Sequence, residues 1–194
     1  MYRSCLLALA ALAGCQDKSS EAPKPVPKTP VADVQVLDGK GALVADLKQT
    51  RPCRATIGPQ ELIVGGPPLV STFGSTTWSG VSDVNGTTLT RNDERIARVF
   101  PVGDPASGAV FDLHGIAQTR VTVTGQIATV ENGASATVRR LTLAGGKITS
   151  DNPALTITGT EDLILAALLS APELLPEVRM LAACERVLLK KDPT

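Results

Sequence analysis

Few residues of this sequence have side chains suited to catalysis. His114 is the only histidine, and it precedes Gly115 at a predicted turn. A single histidine cannot build a multi-histidine metal site, and as a general base it needs a nucleophile and an orienting partner that the sequence does not identify. The serines lack a G-x-S-x-G elbow, and the glycine-rich stretch 65–68 lacks the lysine of a phosphate loop. We therefore predict no catalytic residue, no metal ligand and no cofactor.

Three carboxylates recur beside predicted turns. Asp112, Glu131 and Asp151 stand at the ends of successive strand-like runs and could line one edge of a ligand groove, although turn formation explains each of them alone. The stretch 83–86 begins like a calcium loop, but it lacks the further acids and the final bidentate Glu, and its Asn-Gly pair is a preferred hairpin turn. The ligand-binding residues stay unknown from the sequence.

One cysteine has surroundings that point to covalent modification. The motif Leu12-Ala13-Gly14-Cys15 follows a short apolar run and an N-terminal arginine, which is the layout of an export signal. It resembles the lipobox of bacterial lipoproteins. The resemblance implies a signal peptide over residues 1–14 and lipid attachment at Cys15. An ordinary signal peptide with an incidental cysteine is the alternative.

The resemblance also implies a location. The apolar run is far shorter than the roughly 20 residues of a transmembrane helix, so the mature protein is expected to be anchored without spanning the membrane. By the sorting rule of such lipoproteins, Gln16 rather than Asp after the cysteine favours the outer membrane of the bacterial cell envelope, on its periplasmic or surface face.

Residues 15–32 form a predicted spacer behind the anchor. Pro23, Pro25, Pro27 and Pro30 alternate there with lysines and small residues. Such a composition buries too little apolar area to offset its ordering entropy, and its prolines favour an extended polyproline II conformation. A proline-rich ligand for a partner module is the alternative.

Two cysteines remain for the mature domain. Cys5 leaves with the signal peptide and Cys15 is lipidated, so Cys53 and Cys184 form an even pair in an exported, oxidising compartment. We predict a disulfide between them, with two buried free thiols as the alternative.

Composition narrows the range of partners. Lys+Arg and Asp+Glu each number 19, so the formal net charge is zero. The sequence therefore lacks the excess of basic residues that is typical of proteins that bind nucleic acid. Aromatic residues make up 3% of the chain, which argues against a stacking platform for bases or sugars. The expected partners are the membrane, through the lipid, and an envelope protein or polysaccharide.

From residue 34 to residue 158 the chain alternates between short β-prone runs and turn residues. Turn pairs recur about every 20 residues, which indicates one supersecondary unit used repeatedly. They begin at Asn92, His114, Asn132 and Asn152. We predict a mainly β domain, an antiparallel hairpin meander closed into a sandwich or barrel-like sheet. A short parallel β-helix is the alternative, disfavoured because a disulfide needs Cα atoms within about 7 Å and distant coils lie further apart.

The pattern changes to helical after Thr158. Thr160 is a predicted N-cap for an apolar helix that ends near Ala171. A second helix carries an apolar stripe beside Cys184. The stripe consists of Leu174, Val178, Leu181 and Leu188, and the charged residues off the stripe are Glu177, Arg179, Glu185 and Arg186. We expect both helices, at residues 160–190, to pack over one end of the sheet; a membrane-binding or partner-binding helix is the alternative.

These patterns favour a lipoprotein with one β-rich domain over residues 33–194. The expected function is non-enzymatic: a binding or structural domain held at a membrane of the envelope. The alternative is a carbohydrate-binding or carbohydrate-active protein of the parallel β-helix type, with carboxylates such as Asp112 and Asp151 in a groove. Antiparallel strands across Asn132-Gly133 together with the absence of a deep groove would exclude the β-helix enzyme.

Overall fold

A computed structural model describes residues 32–66, 68–73, 75–83, 86–102, 107–112 and 116–190. The predicted signal peptide, Cys15, most of the spacer and His114 lie outside these ranges. The described residues form fourteen strands followed by two helices. They are β1 (Val34–Asp38), β2 (Leu43–Lys48), β3 (Cys53–Ile57), β4 (Gln60–Val64), β5 (Leu69–Phe73), β6 (Thr76–Asp83), β7 (Gly86–Arg91), β8 (Glu94–Val102), β9 (Ser107–Asp112), β10 (Ala117–Thr124), β11 (Ile127–Asn132), β12 (Thr137–Ala144), β13 (Lys147–Asp151), β14 (Ala154–Thr158), α1 (Leu163–Ser170) and α2 (Pro176–Lys190).

The strands form one antiparallel sheet with the order β4-β3-β2-β1-β14-β13-β12-β11-β10-β9-β8-β7-β6-β5. Except for β4 and β5, neighbours in sequence are neighbours in the sheet. Strand β14 returns to pair with β1, where Val36 lies opposite Ile157. The predicted mainly β, antiparallel meander is therefore confirmed.

The predicted closure of that meander is wrong. Pairing of β4 with β5 would close the strand order into a ring. These two strands do not pair along their lengths, and the sheet is not closed into a barrel. The N–H of Gly65 donates to the carbonyl oxygen of Val70 at 3.1 Å just beyond β4. The connection also contains Pro67 and Pro68, whose nitrogens cannot donate hydrogen bonds, so this turn does not start a ladder between its two strands.

The pairing of β11 with β12 excludes the parallel β-helix alternative. These strands run antiparallel on either side of Asn132–Gly133, with Val130 opposite Arg139. The loop is longer than the two-residue turn that Asn-Gly predicts: Asn132 Oδ1 accepts hydrogen bonds from the N–H groups of Ala134 and Ala136, each at 3.0 Å. The part of the carbohydrate alternative that is wrong is its parallel β-helix fold.

Side chains alternate between the two faces of the sheet. In β3, for example, Cys53, Ala55 and Ile57 are buried while Arg54 is exposed. The buried apolar residues of the inner face form one core together with those of the helices. The outer face carries mostly threonine and charged residues, which suits a sheet with one solvated face.

The helices pack against the inner face of the sheet, not over its end as predicted. Helix α1 contacts β1 and β10–β12, whereas α2 contacts β3, β4 and β6. These strands come from both ends of the strand order, so the sheet curves around the helical pair. All eight residues of α1 are buried. A helix that is apolar on every side needs protein on every side, which the rim of a sheet cannot provide.

Asp162, not Thr160, is the N-cap of α1. Its Oδ1 accepts hydrogen bonds from the N–H groups of Ile164 and Leu165, at 3.1 and 3.2 Å. Thr160 stands two residues earlier, where its Oγ1 accepts the N–H of Asp162 at 3.0 Å. Aspartate caps a helix at least as well as threonine does, and the second oxygen of Asp162 accepts a hydrogen bond from Arg186.

A disulfide joins α2 to the sheet, as the cysteine count predicts. The Sγ atoms of Cys53 and Cys184 lie 2.10 Å apart and their Cα atoms 5.7 Å apart. Both residues are fully buried. The bond links residues 131 positions apart in the chain, so it fixes the last helix against one of the first strands.

Candidate functional site

The outer face of β12 and β13 carries a polar cavity of about 300 Å³. Its lining combines a guanidinium, a carboxylate, an amide and two hydroxyls, from Arg140, Asp151, Asn152, Thr142 and Thr149. Ser150 also borders the cavity, but its hydroxyl is buried on the inner face of the sheet. We treat this cavity, called the outer groove below, as the candidate ligand site.

Strand register explains why these side chains converge. Thr142 and Thr149 are direct partners across β12 and β13, and both are exposed on the outer face. Arg140 precedes Thr142 by two positions and Asp151 follows Thr149 by two, so all four lie on the same face because side chains alternate along a strand. Asn152 begins the turn into β14 and closes the groove at one end.

The chemistry of the outer groove suits binding. Hydroxyls and the amide donate and accept hydrogen bonds, Arg140 presents a fork of donors, and Asp151 presents acceptor oxygens. The lining contains neither histidine nor cysteine.

Of the two described side chains among the three carboxylates expected at one edge, Asp151 alone lines the outer groove. Glu131 lies opposite Arg120 across β10 and β11. Asp112 ends β9, and its side chain lies outside the described part of the structure. The turns of successive hairpins are spread along a curved sheet, so regular spacing in sequence does not bring Glu131 and Asp151 into one cleft.

The stretch that begins like a calcium loop has a different role. Asp83 accepts two hydrogen bonds from Nη2 of Arg98, at 2.9 and 2.8 Å, across the β7 strand. Within the described residues, no cluster of three or more His, Cys, Asp or Glu residues could hold a metal ion.

Sequence reasoning missed a set of polar side chains on the inner face. Arg139, Thr119 and Ser150 are all buried there, at 5%, 0% and 5% exposure. The strand period could have revealed the first: Leu141 faces the core, so Arg139 two positions earlier must face it too, while Arg140 faces outward.

Glu185 was also missed, because it lies off the apolar stripe of α2. It is 8% exposed and accepts a hydrogen bond from the hydroxyl of Thr87 on β7. Burial raises the pKa of the Glu185 carboxyl above its ordinary value of 4.5, while the Thr87 hydrogen bond and the charge of Arg186 act in the opposite direction. A helix enclosed by the sheet on one side and α1 on the other buries more of its circumference than one stripe indicates.

Comparison with known proteins gives no relative: no protein family, curated protein or solved structure matches this chain. Among the residues that the structure describes, neither helix has the length and apolar character needed to cross a membrane. Cys15 lies outside those residues, so lipid attachment stays a prediction.

Proposed function

We propose that this protein is a lipid-anchored protein of the bacterial cell envelope whose β-domain binds a polar envelope polymer without transforming it. The lipobox-like motif that ends at Cys15 supports the anchor. The outer groove, with Arg140 and Asp151 among hydroxyl groups, is the observation that carries the binding role.

The filled interior directs a large ligand to the outside. Helix α1 is buried along its whole length from Leu163 to Ser170, so the protein itself occupies the concave face that an empty curved sheet would offer to a ligand. A polymer can therefore approach the outer face of the sheet, where the outer groove lies.

The composition of the groove supports a ligand rich in hydroxyl and amide groups. A polysaccharide of the envelope fits this description, because its groups match donors and acceptors of both charges in the lining. Recognition would rest on hydrogen bonds, since Trp78, the only tryptophan, is buried on the inner face at 5% exposure and cannot stack on a sugar.

Co-sedimentation of the purified mature protein with insoluble envelope polysaccharide tests the proposal. We expect the wild type to bind and the double variant R140Q/D151N to lose at least about 10-fold in affinity, because both charge-assisted hydrogen bonds are removed. The matched control is R54Q, which removes an exposed arginine of β3 on the same face of the sheet. Equal binding by the double variant and the wild type would show that the groove is not the site.

A further inference from the structure

A buried arginine without hydrogen-bond partners lies beneath the outer groove, on the opposite face of the same strand. Arg139 of β12 is 5% exposed, and its Nε and Nη1 atoms have no hydrogen-bond partner among the described residues. A buried charge is strongly unfavourable unless a counter-charge and hydrogen bonds compensate it. Among the described residues, these two donors have no hydrogen bond and Arg139 forms no ion pair.

A second arginine lies near the first. Arg179 of α2 donates from Nη2 to the carbonyl oxygen of Leu169 at the end of α1, while its buried Nε has no partner. Helix α1 in turn packs on β10–β12, the strand group that includes Arg139. Burial, together with the nearby positive charge of Arg139, lowers the pKa of Arg179 to about 10. Arg139 and Arg179 are therefore two cations with buried donor atoms that lack a partner, and the charge of one acts on the other.

Among the described residues, Glu173 is the acid whose charge acts on both arginines, and it forms no ion pair with either of them. Glu173 lies in the turn between α1 and α2 and is exposed. Thr119 adds a further donor on the inner face: it is fully buried, and its hydroxyl has no partner.

We infer that Arg139 and Arg179 bind an oxyanion of the phosphate class, which enters beside the turn between α1 and α2. Paired guanidinium groups present forked donors that match the oxygens of a phosphate. An anion there would satisfy the unpaired Nε and Nη1 atoms and neutralise two charges that repel each other. Arg179 is partly exposed and Glu173 is exposed, which favours this turn as the entrance. This inference does not depend on the outer groove.

Thermal unfolding of the mature protein in inorganic phosphate, compared with sodium chloride at equal ionic strength, tests the inference. A ligand that binds the folded state raises the melting temperature with its concentration, and we expect this rise in phosphate alone. The variants R139M and R179M should each weaken the phosphate effect about 10- to 100-fold, the usual loss for a hydrogen bond to a charged group. The control R120M removes an exposed, outward-facing arginine of β10 and should leave the effect intact.

Two further arms make the outcome decisive. Glycerol 3-phosphate, the headgroup unit of phospholipids, distinguishes a lipid source from free phosphate. Stabilisation by the ester alone would assign the site to lipid headgroups. Stabilisation by both the ester and inorganic phosphate would show that the site also binds free phosphate. The variant E173Q removes the competing acid and should bind phosphate as tightly as the wild type or more so. The inference would be overturned if the wild type had the same melting temperature in phosphate, glycerol phosphate and chloride. It would also be overturned if R120M weakened the phosphate effect as much as R139M does. If R139M does not fold, R179M carries the comparison.

Discussion

Asp162 and Arg186 link the beginning of α1 to the middle of α2. Nε of Arg186 donates to Oδ2 of Asp162 at 2.6 Å, and the two side chains are only 24% and 13% exposed. The other oxygen of the same carboxylate caps α1. One side chain therefore both starts a helix and holds it to its neighbour.

Substitution of Asp162 should separate these two roles. We expect D162A to lose about 1 kcal/mol for the cap and about 1.5–3 kcal/mol for the charge-assisted hydrogen bond. D162N keeps a capping oxygen and should lose mainly the second part. Urea unfolding followed by Trp78 fluorescence measures both, and a double-mutant cycle with R186M isolates the pair. A coupling energy near zero would show that the ion pair does not stabilise the fold.

Glu185 should make stability fall as pH rises. Its folded-state pKa is raised above 4.5, mainly by burial. Below that value the carboxyl is neutral in both states; above it the unfolded chain ionises first, so stability declines until the pH passes the folded pKa. Urea midpoints measured from about pH 4 to pH 8 should show a shallower decline in E185Q than in the wild type. Identical slopes would contradict this assignment.

Loss of the disulfide should strongly weaken the fold. In the chain-entropy model, a bond between residues 131 positions apart stabilises by up to about 5 kcal/mol. The double variant C53A/C184A should therefore unfold at a much lower urea concentration than the oxidised wild type. Alkylation followed by mass spectrometry provides the chemical check: both cysteines should resist alkylation until the protein is unfolded and reduced.

Two glycines with similar backbone angles should respond differently to alanine. Gly159 and Gly41 have φ values of 80° and 82°, so alanine is strained at both by about 1–2 kcal/mol. A Cβ at Gly159 would also overlap the carbonyl oxygen of Asp33, whereas nothing lies within 4 Å of one at Gly41. We expect G159A to lose clearly more stability than G41A in thermal unfolding. Equal losses would mean that the junction of β14 with β1 relaxes freely.

The anchor has its own test in cells. The variant C15A removes the predicted acylated thiol, so it should lose labelling by a clickable fatty acid and move from the membrane fraction to the soluble fraction. The control C5A alters a cysteine within the predicted signal peptide and should stay membrane-bound. Retention of C15A in the membrane would refute the lipobox interpretation.

The strand succession was predictable because turn chemistry is local. Asn92 and Asp93 both have positive φ, as a tight hairpin turn requires, and the alternation in β3 follows directly from its residues. The sequence patterns did not predict strand β5. This strand lies at one end of the strand order and does not pair with β4, the strand before it in the chain. The outer groove could be predicted only in part. Asp151 was predicted from the sequence as a candidate groove residue, but Arg140 lies beside it only because of the strand register.

The sequence by itself determined all strands but β5, the two helices and the cysteine pair, and it predicted the tether, because composition and short-range spacing encode these features. The tertiary structure decided that β14 returns to β1, that the helices fill the concave face, and that Arg139 and Arg140 face opposite sides of one strand. These features depend on contacts between residues far apart in the chain, such as Val36 with Ile157. Burial of Glu185 and Arg139 follows from the curvature of the sheet. A sheet curved around two helices encloses side chains whose neighbours in sequence do not indicate that they are buried.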